Sequence, residues 1–133
     1  MTDLQKSEIV IARILSLLVD WGIQETELRF SELELDDSFA PFFFPCVEWL
    51  QSEQIIRVSR LVKAIDGPGS GVVLRPVLTS EGFAILGKKI TVDGEPEVLS
   101  NVIEKVGSSD RSLWQFGDAI GGILGGFTKS MGN

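Results

Sequence analysis

Apolar residues dominate the first helix that the sequence predicts, over residues 8–21. Ser7 suits the N-cap position of this helix, and Gly22 suits its C-terminal stop. The polar positions 6, 13, 16 and 20 form one narrow stripe at helical spacing, whereas a surface helix normally has a wider polar face. We therefore expect this helix to be buried on more than one side, both as the central helix of the domain and as a surface packed on a partner chain.

A second helix is predicted over residues 39–53, after the N-cap candidate Asp36. Pro45 implies either a kink or a helix proper that begins near Phe44. The three consecutive Phe residues from 42 to 44 cannot all be buried on one helix face. We expect part of this aromatic surface to pack on another element or on another chain.

Two strand-like runs, residues 55–65 and 72–78, flank a glycine-rich stretch and predict a β-hairpin. Pro76 places part of the second run at a sheet edge or a bulge. If these glycines formed a phosphate-binding loop, a helix N-terminus would have to follow them directly. A strand follows them instead, so we favour a plain hairpin loop.

The order of helix, short strand, helical segment, helix, strand, glycine loop, strand and helix resembles a winged-helix domain, with residues 55–78 as the wing and residues 39–53 as its third helix. Residues 78–82 read Leu-Thr-Ser-Glu-Gly, similar to the Leu-Thr-x-x-Gly that follows the wing in MarR- and PadR-like regulators. Thr79 caps a helix that is predicted to end near Lys89. The resemblance covers about residues 5–90 and implies an α+β fold, a winged helix-turn-helix-like domain over residues 1–90. The residues that follow predict a C-terminal glycine-rich helical appendage over residues 91–133.

The resemblance also implies two DNA-contacting elements, a third helix in the major groove and a basic wing. The segment 39–53 departs from this pattern, because it contains no Lys or Arg and offers Glu48 and Glu53, which repel phosphates. The wing keeps its positive charge. The candidates for nucleic-acid contact are Arg57, Arg60, Lys63 and Arg75.

Charge is distributed unevenly around this wing. Residues 1–54 hold 3 basic and 11 acidic side chains, residues 55–89 hold 6 basic and 2 acidic, and the whole chain has a net charge of −7. The overall acidity argues against non-specific nucleic-acid binding. We favour a solvated basic face, or one complementary to the acidic N-terminal half of a second copy, over contact with nucleic acid.

A glycine-spaced helix is predicted near the C-terminus, over residues 111–127. Each interior glycine costs about 0.8–1 kcal/mol relative to alanine, so this helix needs a packing partner. Glycine at every fourth position permits close approach of another helix, and we favour a homo-oligomer built on this glycine zipper. Peripheral membrane contact and a disordered tail are the alternatives. The residues predicted for self-association are Leu113, Phe116, Gly117, Ile120, Gly121, Leu124 and Gly125.

Composition excludes several chemistries. With no His and one Cys, the chain has no His- or Cys-rich metal site and no Ser-His-Asp or Cys-His catalytic set. The acidic run 32–37 is interpreted as a solvated face rather than a site for a hard cation. We expect no cofactor, no metal and no enzymatic activity. The N-terminus lacks the basic region of a signal peptide, which favours a cytoplasmic location.

These observations lead to one functional hypothesis and one alternative. The hypothesis is a non-catalytic, self-associating protein–protein interaction module of winged-helix type. The alternative is a winged-helix transcription regulator that contacts DNA through the basic wing.

Overall fold

The computed structural model describes residues 2–92 and 94–101, and these form a mixed α+β fold. The elements in chain order are α1 (Asp3–Trp21), β1 (Glu27–Leu28), two 3₁₀ segments (Phe30–Leu33 and Asp37–Phe42), α2 (Phe43–Ser52), β2 (Ile56–Arg57), β3 (Arg60–Lys63), β4 (Gly71–Leu74), β5 (Val77–Leu78), α3 (Ser80–Leu86), β6 (Lys89–Val92) and β7 (Glu95–Val98).

Helix α1 begins earlier than its sequence predicts. Thr2 is the N-cap, and a capping box joins its side chain and backbone to Gln5. The predicted cap Ser7 is wrong, since this residue lies inside the helix and its hydroxyl donates to the carbonyl oxygen of Asp3 at 2.9 Å. The predicted stop is confirmed, because Gly22 has a φ of 69° and its N–H donates to the Leu18 carbonyl.

The core forms around α1, which packs on α2, on both 3₁₀ segments and on β5. The prediction that α1 is buried on more than one side is confirmed. Its buried residues are Ile9, Val10, Ile11, Ala12, Ile14, Leu15 and Leu18. This cover comes from the chain itself, and the partner chain expected against α1 stays a prediction.

The aromatic run packs within the same chain. Asp36 caps the second 3₁₀ segment, as predicted, and α2 proper begins at Phe43, which puts Pro45 in its first turn, where a missing N–H costs little. Phe43 is fully buried and makes edge-on contacts with Phe30 and Phe44, at ring-centroid distances of 5.9 and 4.9 Å. The three Phe residues are therefore covered by neighbouring elements, with Phe42 half-buried.

The predicted hairpin is confirmed. Strands β3 and β4 pair antiparallel with Val62 opposite Val72, and β1 pairs on the other side of β4, so the sheet order is β1-β4-β3. Strands β2 and β5 form a second antiparallel pair. Arg75, with a φ of 52°, and Pro76 separate β4 from β5, which agrees with the predicted bulge.

The chain after the sheet differs from its prediction. Thr79 caps α3 by accepting from the Gly82 N–H at 3.0 Å, but α3 ends at Leu86 because a second hairpin, β6–β7, starts at Lys89. Residues 95–98 therefore form a strand at the start of the segment for which the sequence predicted a helical appendage. Leu99, which follows this hairpin, is fully buried in the core, and its N–H donates to the Lys88 carbonyl.

Candidate functional site

The four basic residues predicted for nucleic-acid contact lie on the β2–β5 region. Arg57 is on β2, Arg60 and Lys63 are on β3, and Arg75 follows β4. All four are exposed to solvent. The structure thus brings all four onto the antiparallel segment from β2 to β5, to which we refer below as the hairpin, although their contacts differ.

Two of the four positive charges are neutralised by neighbouring carboxylates. The Lys63 Nζ lies 2.7 Å from the Glu48 Oε1 on α2 and 5.8 Å from the centre of the Phe44 ring. The Arg75 Nη2 lies 3.3 Å from the Glu25 Oε1. The Lys63–Glu48 pair is about half exposed and the Arg75–Glu25 pair is mostly exposed, so each contributes between zero and about 1 kcal/mol to folding. Their main effect is to remove charge from this surface.

Arg57 and Arg60 keep their charge. Neither forms an ion pair within residues 2–92 and 94–101. They stand at the two ends of the short link between β2 and β3. The unpaired positive charge of the hairpin is therefore concentrated at its base, where β2 ends and β3 begins.

Within residues 2–92 and 94–101, strand β3 is also an edge of the sheet, because β4 is the one strand there that pairs with it. The Ala64 N–H donates to the Ser70 carbonyl at 2.8 Å, so Ala64 and Ser70 form a hydrogen-bonded pair. Such pairs alternate with non-hydrogen-bonded pairs along an antiparallel ladder. By the alternation along an antiparallel strand, the backbone groups of Val62 face β4 and those of Leu61 and Lys63 point away from it. This edge consequently presents unpaired backbone donors and acceptors to solvent.

The outer face of the same sheet carries apolar side chains. Arg60 stands opposite Leu74 and Val62 stands opposite Val72, so these two pairs share one face. The other face contains the fully buried Val73. Val62 is 37% exposed, Val72 and Leu74 are half-buried, and Ile65 in the hairpin loop is fully exposed. An apolar strip thus accompanies the free arginines, which the sequence analysis did not single out.

The glycine loop is a structural connection between β3 and β4. Gly67, Gly69 and Gly71 all have positive φ, and a Cβ on Gly71 would lie 2.1 Å from the Val62 carbonyl oxygen. A Cβ on Gly69 would lie 2.7 Å from the Ala40 carbonyl oxygen, so the loop packs closely on the second 3₁₀ segment. The chain continues from the loop into β4, and the prediction of a plain hairpin loop is confirmed.

The solvent-facing side of α2 is acidic. Glu48 is exposed and Glu53 is half-exposed at the end of the helix, while Cys46, Val47 and Leu50 are buried. With no Lys or Arg in this segment, α2 offers no side chain that attracts a phosphate or reads a guanine edge.

A groove between α1 and the first 3₁₀ segment has a volume of about 460 Å³. The Arg13 Nη1 donates to the Leu33 carbonyl at 3.1 Å, while the Arg13 Nε and the Glu32 Oε2 are buried without a partner in the described part of the chain. Asp20 and Glu34 complete an acidic lining. The sequence signal for this groove was Arg13 within an otherwise apolar stretch.

The acidic run does not converge on one point. The Asp36 carboxylate instead accepts from the side chain and the backbone N–H of Ser38, and these bonds lower the pKa of Asp36. Among the residues that the structure describes, no group of three or more acidic or thiol side chains has metal-binding geometry.

Cys46 is the one nucleophilic thiol of the chain. Its buried Sγ lies 3.5 Å from the Ser7 carbonyl oxygen, and burial raises the pKa of Cys46 to about 12. The side chain is therefore protonated at neutral pH, and it has no access to a substrate in this fold.

The seven positions predicted for self-association, from Leu113 to Gly125, lie outside the described residues. Among residues 2–92 and 94–101, none of the helices combines the length and the apolar character that crossing a membrane requires.

Comparison of the chain with protein-family models, with curated proteins and with solved structures gives no match in any of the three.

Proposed function

We propose that this chain is a non-catalytic, self-associating protein–protein interaction module of winged-helix type, acting in the cytoplasm. The element order supports the winged-helix type, since β1 joins the sheet of the β3–β4 hairpin and α2 precedes that hairpin. The buried, protonated Cys46 agrees with a non-catalytic role and a reducing compartment.

One observation carries the interaction role: the hairpin exposes apolar and unpaired charged side chains together. Val62 and Ile65 are exposed apolar residues, and Arg57 and Arg60 are positive charges without a partner in the described part of the chain. Apolar surface flanked by charge is typical of protein interfaces, where arginine is enriched.

Self-association is supported by the sequence of the C-terminal segment. Gly117, Gly121 and Gly125 would form one small-residue strip beside the apolar positions of a helix. Replacing all three glycines by leucine should fill that strip with bulky side chains and prevent close contact between helices. Sedimentation of the full chain should show an oligomer that dissociates in the triple variant. An unchanged mass in that variant, or a monomeric parent chain, would contradict the proposal.

The matched control for this experiment is Gly87→Ala. At position 87 an added Cβ would make only ordinary contacts, the nearest at 3.5 Å from the Phe83 carbonyl oxygen, and the backbone conformation accepts alanine. This variant should keep the oligomer mass of the parent chain.

A second candidate is a winged-helix transcription regulator that contacts DNA through the hairpin. One observation favours this candidate: Arg57 and Arg60 are the hairpin cations that have no carboxylate partner in the described part of the chain. An electrophoretic mobility assay on mixed-sequence DNA at low salt tests it. A shift that fades with salt and disappears in Arg57→Glu/Arg60→Glu would support this candidate.

The control for the DNA assay reverses a charge elsewhere. Lys6 lies on α1, near the Phe39 ring at 5.7 Å, and Lys6→Glu changes the net charge without changing the hairpin. If Lys6→Glu abolishes a shift as fully as the hairpin variant, the contact is a general charge effect. The absence of any shift favours the interaction module.

A further inference from the structure

We infer that the free edge of β3 is the docking site for an extended, acidic segment of a partner protein, which adds a fourth strand to the three-stranded sheet. This inference rests on the proposed interaction function and names its surface and its partner class. Strand addition of this kind draws affinity from backbone hydrogen bonds and specificity from alternate side chains.

The backbone of β3 provides the first part of the site. The hydrogen-bond phase set by Ala64 and Ser70 leaves the N–H and C=O groups of Leu61 and Lys63 directed away from β4. No backbone bond to either residue is made from outside the β3–β4 ladder in the described part of the chain. An incoming strand would find two donors and two acceptors in register.

The positive charges on and near β3 indicate that the partner segment is negatively charged. Strand β3 contains two cations and no carboxylate, and Arg60 and the nearby Arg57 are unpaired in the described residues. A second copy pairing through β3 would bring only positive side chains along the new ribbon, which is how edge strands resist self-pairing. A segment with Asp or Glu places opposite charges there instead.

The outer face explains why a protein segment fits better than a nucleic acid. Val62 is 37% exposed beside the half-buried Val72, and a strand added next to β3 would place every second side chain against this strip. Phosphates can neutralise Arg57 and Arg60, but they use neither the backbone edge nor the apolar strip. The partner segment should therefore carry acidic and β-branched residues on the same face, so that an acidic side chain meets Arg60 while a β-branched one meets Val62.

The test uses the isotope-labelled full chain and a synthetic heptapeptide, acetyl-Thr-Glu-Thr-Val-Thr-Glu-Thr-amide, whose Glu and Val side chains all lie on one face of an extended strand. Titration by NMR should shift the amide signals of Leu61 and Lys63 most strongly, and bound peptide should slow hydrogen exchange at these two amides at least tenfold. The same peptide N-methylated at alternate residues should bind at least tenfold more weakly. Equal binding of the methylated peptide, or no response at Leu61 and Lys63, would overturn the inference.

Two variants at one position separate backbone from side chain. Lys63→Pro removes an N–H that faces away from β4, so it spares the sheet ladder while removing a donor from the site. Lys63→Ala keeps that donor and removes the same charge. Peptide binding should fall at least tenfold more in Lys63→Pro than in Lys63→Ala, with circular dichroism verifying that both variants fold. Equal losses in two folded variants would contradict strand addition.

Separate outcomes distinguish this inference from the proposed function. If the peptide fails to bind while sedimentation shows the glycine-dependent oligomer, the interaction module stands and the β3 site is wrong. If mixed-sequence DNA, titrated in parallel, shifts the hairpin amides and the peptide does not, both the β3 site and the interaction module give way to the regulator. Arg60→Glu should weaken peptide binding at least tenfold, and Lys6→Glu should leave it unchanged.

Discussion

Helix α1 and the β3–β4 hairpin expose their apolar residues to opposite degrees. The apolar residues of α1 from Ile9 to Leu15 are almost completely buried by the chain itself, whereas Val62 and Ile65 on the hairpin remain in contact with solvent. The amount of apolar sequence in a segment therefore does not reveal where a partner binds. What matters is whether the segment's own neighbours cover it.

The same contrast holds for charge. Arg13 of α1 donates a hydrogen bond to the Leu33 carbonyl, whereas Arg57 and Arg60 on the hairpin make neither an ion pair nor a side-chain hydrogen bond in the described residues. We therefore expect stability to reside in the core around α1 and recognition to reside in the hairpin. The following predictions test this division.

The largest effect is expected in the core. Phe43→Ala removes a fully buried ring that contacts Phe30 and Phe44, and it should lower the free energy of unfolding by about 3–5 kcal/mol. The control is Phe83→Ala, because Phe83 is 45% exposed and should cost much less. Urea denaturation measures both. Similar losses for the two variants would mean that burial does not distinguish these rings.

A smaller effect is expected where α3 meets the chain after α2. A Cβ on Gly82 would lie 2.2 Å from the Ile55 carbonyl oxygen, so Gly82→Ala should cost about 1–3 kcal/mol through forced backbone shifts. Gly87→Ala, where an added Cβ makes only ordinary contacts and φ is negative, should be neutral or stabilising by up to about 1 kcal/mol. Thermal or chemical denaturation that ranks these variants in the reverse order would refute the close packing at Gly82.

A third prediction uses pH. Burial raises the pKa of Cys46 from an ordinary 9.0 to about 12, so the folded state favours the neutral thiol. The stabilisation is fully present below pH 9 and is lost as the pH rises toward 12, by about 1.4 kcal/mol per pH unit within that window. The difference in unfolding free energy between the parent chain and Cys46→Ala should therefore shrink from pH 8 to pH 10. A constant difference would show that the thiol is not held neutral.

The smallest effect is expected on the hairpin. Arg57→Glu and Arg60→Glu should each change the free energy of unfolding by less than about 0.5 kcal/mol, because both side chains are exposed and unpaired in the described part of the chain. Denaturation under the conditions used for Phe43→Ala gives the comparison. A loss above 1 kcal/mol would mean that these arginines support the fold, which would weaken their assignment to recognition.

The parts of the fold that could be predicted have strong local signals. The glycine loop between two β-branched runs predicted the β3–β4 hairpin, and Thr79 predicted the cap of α3, because in both cases neighbouring residues determine the backbone conformation. The start of α1 was misplaced by a short polar stretch in which Ser7 competes with the Thr2 capping box. The β6–β7 hairpin was missed because β7 contains Pro96 between two Glu residues and lacks the pattern of a strand, although Lys89 to Val92 in β6 does alternate polar and apolar residues.

The candidate site was only partly accessible from the sequence. The four basic residues were identified because charge is visible in any linear sequence. Their division into paired and unpaired residues was not visible, since Glu48 and Glu25 approach Lys63 and Arg75 only through the tertiary fold. The open edge of β3 depends on which strand pairs with β4 on each side, and this topology has no local signal.

The close approach of Gly69 to Ala40 has a mechanical consequence. The glycine loop packs directly on the second 3₁₀ segment, which precedes α2. This contact holds the hairpin in one orientation against the helices, so the hairpin does not move as a hinge about its base. A partner that binds the hairpin would then meet a preorganised surface, and binding would cost the hairpin little conformational entropy.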